Sequence, residues 1–355
     1  MFPFPGRWNQ WQKEGFRTRA AHWLLNLAAD NRVRKVILVD QPEVSVKSQI
    51  KIRKENEKII VVERYSMISR KIMPLQKIPQ SIWSDLKLDS ESTVVFVGNP
   101  IEMKNAIDVP HAKLIFDCVD DLSVHPQYQY IHYKKLIASG YSLVEKHADI
   151  VTAVSSSLIK KFPTKKVNVI RNAVSNDFIK EVEIHNDTSP IQAICYFGII
   201  QNRVNLDLLS KVQKETDVPV QIWGKVWRQN TEGLKARYKN LDFKGEYHYS
   251  ELPNLLKNAK VLVIPHYVNE FSDSMDPLKL YEYLTTGKPI VSTNILSVKG
   301  LDHIVNIAQD DESFIKMVKK ALVENDLVKA KTRKEFALSN SWKNRVTQLF
   351  SLFEE

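Results

Sequence analysis

Short runs of apolar and β-branched residues recur along the chain, and a longer stretch with helical spacing of apolar residues separates each run from the next. VRKVILV and STVVFVG are such runs in the first half, and AKVLVIPH is one in the second. Continuous apolar strands that alternate with helices form parallel sheets buried on both faces. The pattern therefore predicts an α/β fold of the doubly wound type. The predicted strands cover residues 33–39, 58–65, 92–98, 112–117, 148–155, 167–174, 191–198, 218–224, 241–245, 259–266, 288–293 and 303–308.

The runs fall into two sets of six, and the polar segment EVEIHNDTSP at 181–190 lies between the sets. This segment is predicted to be an interdomain linker, because a length of 355 residues suits two domains. Residues 1–185 are thus predicted to form one Rossmann-like domain and residues 190–340 a second one, with a final helix at 341–355 that packs back on the first. The predicted helices cover residues 14–29, 132–147, 155–162, 205–216, 250–259, 278–287, 312–325 and 341–355.

Composition and motifs exclude several classes of protein. No apolar run approaches the roughly 18 residues of a membrane span, and the N-terminal segment lacks the apolar core of a secretory signal. The two cysteines, Cys118 and Cys195, provide neither a disulfide framework nor a metal site. The patterns GxGxxG, GxxxxGK[ST], GxSxG and HExxH are absent. A cytoplasmic protein without dinucleotide-binding, P-loop or zinc-protease chemistry is therefore expected.

The net charge is +10, and the basic excess is concentrated near the N-terminus, where residues 1–80 hold 16 Lys and Arg but 7 Asp and Glu. Such a patch attracts polyanions, but no zinc-finger spacing, RNP signature or basic zipper accompanies it, so nucleic acid is not expected as a partner. An anionic membrane surface at the inner face of the membrane, or a lipid-phosphate-linked acceptor, is expected instead. A solvated strand edge is the alternative. The basic residues considered are Arg17, Arg19, Lys51, Arg53 and Lys54.

Several of the ten glycines directly end an apolar run. Gly98 does so in the first half, and Gly198, Gly224 and Gly245 do so in the second. In doubly wound sheets, ligands bind outside the carboxyl ends of the strands, where a glycine lets the backbone approach the ligand. A single glycine suits a tight turn equally well, but the three in the second half together favour a ligand site.

The segment FSDSMDPLKLYEYLTTGKPIVST, residues 271–293, is the most specific pattern in the chain. It predicts a loop that enters a helix, with Gly287 ending the helix and Pro289 opening a strand. This segment resembles the C-terminal half of group 1 glycosyltransferases (glycosyltransferase family four), in which a loop and a helix carry E-x7-E before a glycine, a proline and a strand. The resemblance covers essentially the whole chain in layout, although the family's first strand has no clear counterpart. It implies the GT-B fold, two Rossmann-like domains facing a cleft.

The resemblance implies a binding site for a UDP- or GDP-linked sugar. Glu282 matches the second acid of the motif, which accepts hydrogen bonds from the ribose hydroxyls. Ser274 stands where the first acid is expected, and Asp273 or Asp276 could replace that acid. Lys279 enters at the helix start, where a cation helps to neutralise phosphate.

Other donor contacts follow from the same resemblance. The backbone N–H groups of Met275, Asp276 and Leu278 would face the diphosphate, and the loops at Lys225 and Tyr247 would hold the base. The implied donor-binding residues are Gly198, Arg203, Gly224, Lys225, Tyr247, Ser274, Met275, Asp276, Lys279, Leu280 and Glu282. No metal and no cofactor beyond the donor are expected, because GT-B enzymes typically need none.

In the first half, LIFDCVDDLSVHPQYQY places Asp117, Asp120 and Asp121 just beyond a strand. Clustered carboxylates are unfavourable unless they are solvated or used. The resemblance implies that this stretch faces the cleft, where Asp120 or Asp121 would orient or deprotonate the acceptor hydroxyl. An acidic cap on the following helix is the alternative.

The resemblance as a whole implies transfer of a sugar to a hydroxyl acceptor, free or lipid-linked, with retention of configuration. Synthesis of a cell-surface or exopolysaccharide-type glycan is the expected context. Two alternatives stay open. A GT-B sugar-nucleotide epimerase would need catalytic acids and a histidine, and a non-catalytic sugar-nucleotide- or glycan-binding subunit would suit Ser274 in place of the usual acid.

Overall fold

The computed structural model describes residues 1–3, 6–69, 76–125, 128, 130–184, 192–227 and 229–354. The chain divides into two compact units, of which unit 1 is Met1–Arg171 with Arg345–Glu355, and unit 2 is Asn172–Asn344. The division thus falls before the predicted linker at 181–190. That segment begins inside a helix, and its remainder from residue 185 lies outside the described residues.

Unit 1 is built on two four-stranded sheets. In the first sheet, β4 (Ile59–Ser66) lies between β1 (Val36–Val39) and β2 (Glu43–Val44) and is parallel to both. The strand β3 (Gln49–Lys54) pairs with β4 in the antiparallel direction, from Gln49↔Tyr65 to Lys54↔Ile60. In the other, β5, β6, β7 and β8 are parallel neighbours in chain order. The strands are β1 (Val36–Val39), β2 (Glu43–Val44), β3 (Gln49–Lys54), β4 (Ile59–Ser66), β5 (Val94–Val97), β6 (Lys113–Cys118), β7 (Ile150–Ala153) and β8 (Val167–Val169).

Met1 and Phe2 lie between these two sheets. The N–H of Val39 donates to the Met1 carbonyl (2.9 Å), and the N–H of Phe2 donates to the Phe96 carbonyl (2.8 Å). Phe2 also forms a parallel bridge with Val97. Two residues therefore occupy the position of a strand between β1 and β5. A bridge this short has no periodicity, so the sequence pattern could not reveal it.

The helices of unit 1 depart from prediction at the N-terminus. The helix expected over 14–29 is two helices, because Gly15 ends the first in a left-handed conformation with φ 75°. The side chain of Thr18 then caps the second by accepting from the Ala21 N–H. A 3-10 turn replaces the helix expected at 155–162. The α-helices are α1 (Trp8–Glu14), α2 (Arg19–Ala29), α3 (Gln80–Asp85), α4 (Met103–Ile107) and α5 (Ile131–His147).

Unit 2 contains one six-stranded parallel sheet in the order β11-β10-β9-β12-β13-β14. Every residue of β9 is buried, as expected for a central strand with helices on both faces. Each of the six runs predicted in this half corresponds to a strand. The strands are β9 (Ala193–Phe197), β10 (Val220–Trp223), β11 (Asp242–Gly245), β12 (Ala259–Ile264), β13 (Ile290–Thr293) and β14 (Asn306–Ala308).

Polar caps define the helices around this sheet. The Asn205 side chain accepts from the Leu208 N–H (2.8 Å), and Asp310 forms a capping box with Ser313. The helices are α6 (Asn176–Ile184), α7 (Leu206–Lys214), α8 (Thr231–Arg237), α9 (Leu252–Leu255), α10 (Glu270–Asp273), α11 (Leu278–Leu284), α12 (Asp311–Leu322), α13 (Leu327–Ser339) and α14 (Trp342–Ser351).

The last helix, α14, spans the boundary between the units, and its residues from Arg345 onward belong to unit 1. Within unit 1, Arg345 Nε donates to the Arg171 carbonyl (3.0 Å), and Gln348 Nε2 donates to the Val169 carbonyl (3.5 Å). None of the helices in the described ranges combines the length and hydropathy needed to cross a bilayer.

Candidate functional site

The carboxyl ends of β9, β10 and β11 bring Gly198, Gly224 and Gly245 side by side. The Gly198 N–H donates to the Trp223 carbonyl (2.9 Å), and the Gly224 N–H donates to the Gly245 carbonyl (2.7 Å). All three glycines have positive φ, at 140°, 137° and 87°. A Cβ on Gly224 would lie 2.1 Å from the Gly198 carbonyl oxygen, so no other residue fits there. This glycine edge lies at the strand ends, where Gly224 is buried, Gly198 is half-buried and Gly245 is exposed.

Lys279 lies in the first turn of α11, next to the glycine edge. A Cβ on Gly198 would be 2.7 Å from its Nζ. That Nζ donates to the Tyr196 hydroxyl (2.8 Å) and lies 4.1 Å from the centroid of the Tyr196 ring. Burial, followed by the charge of Arg203, lowers the pKa of Lys279 well below its usual range, while Glu282 raises it. The amine is thus buried, and an anionic ligand beside it would favour its charged form.

His266 and Arg203 lie close enough to Lys279 for their charges to interact. Arg203 follows β9, and its guanidinium lies against the Gln201 side-chain amide, whose oxygen accepts from Nη1 (2.6 Å) when the amide is turned by 180°. His266 is buried at the end of β12, and its Nε2 has no hydrogen-bond partner within the described ranges. Burial lowers the pKa of His266 well below its usual value, and Lys279 and Arg203 lower it further. The sequence analysis did not identify His266, whose signal is a polar residue directly after an apolar strand.

Glu282 lies one turn after Lys279 on α11, and the spacing of three residues puts both side chains on one face of the helix. Glu282 is buried, and its Oε1 accepts a hydrogen bond from the Tyr249 hydroxyl (2.8 Å). The Tyr249 ring stacks on Phe178 at 5.6 Å. Burial, followed by the charge of Glu282, raises the pKa of Tyr249 well above its usual value, so the phenol stays a donor. The sequence analysis chose Tyr247 in this loop, whose ring lies edge-on to Phe197, and missed Tyr249.

Several positions of the loop before α11 are used inside the fold. Ser274 Oγ donates to the Phe271 carbonyl (2.7 Å), and the N–H of Met275 donates to the Ser272 carbonyl (3.3 Å). The side chain of Leu280 is fully buried in the core of unit 2, and its N–H donates to Pro277 (3.1 Å). Ser274 Oγ, the Met275 N–H and the Leu280 side chain thus have partners inside unit 2, and their contact with the donor stays a prediction.

The two acids expected to replace the missing carboxylate also have partners inside unit 2. Asp276 Oδ2 accepts from the Asn172 N–H (2.6 Å) and from the Tyr281 hydroxyl (2.9 Å). Asp273 Oδ1 accepts from the Leu296 N–H (3.0 Å). Both carboxylates thus tie the loop to its surroundings, and replacement of the acid absent at residue 274 by either one stays a prediction.

The loops after β9 and β10 are paired beside the glycine edge. The N–H of Ile200 donates to the Lys225 carbonyl (2.9 Å), and the N–H of Trp227 donates to the Ile200 carbonyl (2.9 Å). Lys225 Nζ lies 3.6 Å from exposed Glu246. Lys225 therefore borders the edge through its backbone, while its side chain is directed to a surface acid.

In unit 1, Asp117 is the buried member of the acidic stretch after β6. Its two carboxylate oxygens accept from Arg19 Nε (2.9 Å) and Nη2 (2.8 Å), and Thr152 Oγ1 adds a third bond (2.7 Å). This pair corrects the expectation that Arg19 lies on an exposed basic face. Of the other residues on that face, Arg17 pairs with Glu14 and Arg53 with Glu63, whereas Lys51 and Lys54 are exposed.

The two proposed catalytic acids of unit 1 differ in their surroundings. Asp121 is buried, and Lys161 Nζ (2.7 Å) and Ser123 Oγ (2.6 Å) both contact its carboxylate. Asp120 is half-buried, and its backbone carbonyl faces the Tyr141 hydroxyl (3.5 Å). No cluster of three potential metal ligands occurs in the part of the chain that the structure describes.

Residues 193–324 match the family model described as "Glycosyl transferases group 1". The matched region begins with β9 and ends after α12, so it contains the glycine edge, Lys279 and Glu282.

Individual proteins extend this likeness. The chain is 23% identical over 257 residues to the putative teichuronic acid biosynthesis glycosyltransferase TuaH of Bacillus subtilis (strain 168), an alignment that spans 65% of this chain and 64% of that protein. Sucrose-phosphate synthase of Thermosynechococcus elongatus has a TM-score of 0.68 at 13% identity, with 94% and 91% of the two chains covered. Anabaena Alr3699/HepE, solved in complex with UDP, has a TM-score of 0.60 at 11% identity, with 84% and 86% covered.

At these identities the solved structures bear on the fold, and they confirm the predicted α/β class with Rossmann-like sheets in both units. The family match over unit 2 confirms the resemblance carried by residues 271–293. Unit 2 is therefore similar to group 1 glycosyltransferases over residues 193–324, and the chain as a whole has the GT-B fold.

Proposed function

We propose that the chain transfers a sugar, with retention of anomeric configuration, from a UDP-linked donor to a hydroxyl group of a cell-surface polysaccharide or its lipid-linked precursor. The observation that carries this proposal is the joint placement of Lys279 and Glu282 on one face of α11, beside the glycine edge. The UDP bound to Anabaena HepE supports the choice of base, and the description of TuaH supports a polysaccharide product.

The donor diphosphate is assigned to the glycine edge. Phosphate oxygens would approach the backbone at half-buried Gly198 and exposed Gly245, next to Arg203 and to Lys279, whose charged form an anion favours. Neutral, buried His266 adds a further polar group without opposing charge. A diphosphate would favour the charged form of Lys279 and so place two cations, Lys279 and Arg203, beside the donor.

The ribose is assigned to Glu282. Its Oε1 accepts from Tyr249, and this bond fixes the orientation of the carboxylate that would accept from the ribose hydroxyls. Hydrogen bonds to a charged carboxylate are stronger than those between neutral groups. The contact between Glu282 and the ribose would therefore increase the affinity for the nucleotide and fix its position. The base would then lie toward the loops that carry Lys225 and Tyr247, because these loops follow the neighbouring strands β10 and β11.

In the transfer step, the bond between the anomeric carbon and the β-phosphate oxygen breaks, and a bond from that carbon to the acceptor oxygen forms on the same face. The acceptor proton passes to the departing phosphate oxygen, so UDP leaves with the charge that Lys279 and Arg203 stabilise. On the acceptor side we assign Asp120 of unit 1 to hold the hydroxyl, because it follows the carboxyl end of β6 and is half-buried, whereas Asp121 is buried.

A ligand panel tests the donor assignment. The melting temperature of the chain is measured with UDP, GDP and ADP, and the account predicts that UDP gives the largest increase by ligand linkage. Lys279→Met should lose this increase, whereas Lys211→Met, which removes an exposed lysine of α7, should keep it. No response to any of the three nucleotides would overturn the assignment, and a preference for GDP would overturn the choice of base.

Product analysis separates catalysis from the two alternatives. Incubated with a UDP-sugar but no acceptor, a transferase should release UDP slowly by hydrolysis and leave the configuration of the remaining donor unchanged. Accumulation of an epimeric UDP-sugar would indicate an epimerase. Binding of UDP without any hydrolysis above background would indicate a non-catalytic subunit.

A further inference from the structure

Unit 1 contains a cavity of about 1000 Å³ that the transfer reaction does not use. It lies at the amino ends of β1 and β5, where Val36 and Ile37 on one strand and Val94 and Val95 on the other contribute to its wall. Met1 lies between these strands and also lines the cavity. The volume is at the upper end of what pockets for small organic ligands enclose.

The wall of this cavity is predominantly apolar. Ile115, at the centre of β6, is fully buried, and Leu349 of α14 is nearly so, whereas Phe350 and Phe353 of the C-terminal segment are half-buried. Close-packed protein interiors leave few voids larger than a water molecule. An apolar space of this size therefore favours an apolar occupant over water.

The mouth of the cavity is positively charged. Arg32, Arg34, Lys35 and Lys87 line it and are exposed, against the two acids Asp85 and Asp89. Arg32 lies over the Phe350 ring at 4.0 Å and pairs with Asp30. Asp89 is held by the Ser92 hydroxyl (2.6 Å) and by the Glu91 N–H. The excess of cations complements an anionic group at the entrance.

Two residues from the segment before β5 complete the wall and the mouth. Trp83 lines the cavity and is 3% exposed, so it adds a large aromatic side chain to the apolar wall. Lys87, at the mouth, also adopts a left-handed conformation (φ 49°), which is uncommon for a residue with a side chain.

We propose that this cavity binds the apolar chain of an anionic amphiphile, such as a lipid with a phosphate headgroup, with the head at Arg34, Lys35 and Lys87. The cavity is distinct from the place assigned to the acceptor hydroxyl. It opens at the amino edge of the unit 1 sheets, whereas Asp120 follows the carboxyl end of β6, a strand of six residues and so roughly 20 Å long. The bound amphiphile would therefore attach unit 1 to a lipid phase and would not itself be glycosylated there.

Calorimetric titration of the full chain tests this proposal with three probes. Dodecyl phosphate, kept below its critical micelle concentration, carries both chain and charge, dodecyl maltoside carries the same chain with a neutral head, and inorganic phosphate carries the charge alone. We expect dodecyl phosphate to bind one per chain and at least tenfold more tightly than either of the other two. Equal binding of dodecyl maltoside, equal binding of phosphate, or no binding of dodecyl phosphate would overturn the proposal.

Two pairs of variants locate the site. Val94→Trp fills the mouth at a residue that is 38% exposed, and Val44→Trp, at a 60% exposed residue of β2 outside the cavity, is its control. Val94→Trp should weaken dodecyl phosphate binding at least tenfold, whereas the control should not. Unchanged UDP affinity in both variants shows that unit 2 is intact, and equal dodecyl phosphate binding by both would contradict the location.

The second pair tests the charged mouth. Arg34→Glu combined with Lys35→Glu should reduce dodecyl phosphate affinity at least tenfold and leave dodecyl maltoside unaffected. Lys51→Glu combined with Lys54→Glu reverses two exposed lysines of β3 that do not line the cavity and should change neither affinity. If the two double variants lose affinity equally, the attraction is a general effect of net charge and the assignment of the head position fails.

Discussion

The hydroxyl of Tyr249 donates a 2.8 Å hydrogen bond to Oε1 of Glu282, and this bond joins the loop after β11 to helix α11. Glu282 is buried and Tyr249 is stacked on Phe178, so neither partner is free to swing into solvent. The carboxylate proposed to bind ribose is therefore oriented before the nucleotide arrives. Preorganisation of this kind reduces the entropy that binding would otherwise lose.

Tyr249→Phe should weaken UDP binding by about tenfold, because one hydrogen bond to a charged group contributes about 1.5 kcal/mol. The ring and its stacking on Phe178 stay in place. Isothermal titration calorimetry with UDP measures the change. Tyr238→Phe is the matched control, because it removes a tyrosine–carboxylate bond to Asp207 (3.0 Å) that lies outside the proposed site. Equal affinities for the two variants would show that Tyr249 does not position Glu282.

Lys279→Met should lower UDP affinity by about 10- to 100-fold, equivalent to about 1.5–3 kcal/mol for a charge-assisted contact. Uridine, which lacks the diphosphate, should bind the variant and the parent chain equally. Lys288→Met provides a comparison, because Lys288 Nζ caps the carbonyls of Leu256, Lys257 and Ala259 and is assigned no donor contact. Lys288→Met should lower the melting temperature but leave the UDP affinity unchanged. If Lys279→Met weakens the binding of uridine as much as that of UDP, the loss reflects local unfolding and the proposed phosphate contact is contradicted.

The two acids of unit 1 should respond differently to amide substitution. Asp120→Asn should lower kcat at least tenfold with UDP affinity unchanged, because the residue is proposed to hold the acceptor hydroxyl. Asp121→Asn should instead lower the free energy of unfolding by about 1–3 kcal/mol, since Lys161 loses its charged partner. Steady-state rates at saturating donor and urea denaturation measure the two effects. A larger loss of kcat in Asp121→Asn would exchange the roles.

Asp40 should make the stability of unit 1 depend on pH. Burial raises the pKa of its carboxyl from 3.8 to about 6, against the opposing effects of the Trp8 N–H (2.9 Å) and of Arg7. The pKa of Asp40 is higher in the folded state than in the unfolded chain. The contribution of its protonated form to the free energy of unfolding is therefore fully present below pH 4. It is lost as the pH rises through 6, which lowers the free energy of unfolding by about 3 kcal/mol. Asp40→Asn keeps an acceptor for Trp8 without the charge. Urea denaturation should show equal stabilities at pH 4 and a more stable variant at pH 7.5, and a less stable variant at pH 7.5 would contradict the account.

The sequence pattern was sufficient for the parallel strands of both units except the exposed, two-residue β2, because buried parallel strands are continuous apolar runs. The pattern did not reveal β3, whose residues are exposed or half-buried and form an antiparallel edge. It also did not reveal α13, because the buried positions of this helix are Arg333 and Ala337 and give no apolar stripe. Arg333 is buried because its guanidinium donates to the carbonyls of Ile304 and Gly287. Tertiary partners of this kind have no local signature in the sequence.

The site shows the same limit. Glu282, Lys279 and the glycine edge were identified from local motifs, and the structure brings them together. Tyr249, His266 and the internal use of Asp276 depend on contacts between distant segments, such as that from Asn172 to Asp276. Arg19 is the clearest example, because a basic residue in a basic segment suggests an exposed face, whereas its partner Asp117 lies 98 residues away.

The central claim, that α11 and the glycine edge bind the nucleotide of the donor, is tested most directly by the dissociation constant of UDP for Glu282→Gln. This variant keeps the size of the side chain and removes its charge. Asp207→Asn is the control, because it makes the same change in an acid that accepts a hydrogen bond from another tyrosine, Tyr238. The account predicts at least tenfold weaker binding of UDP by Glu282→Gln and unchanged binding by Asp207→Asn, with both variants folded. UDP affinity that is the same in Glu282→Gln and in the parent chain would contradict it.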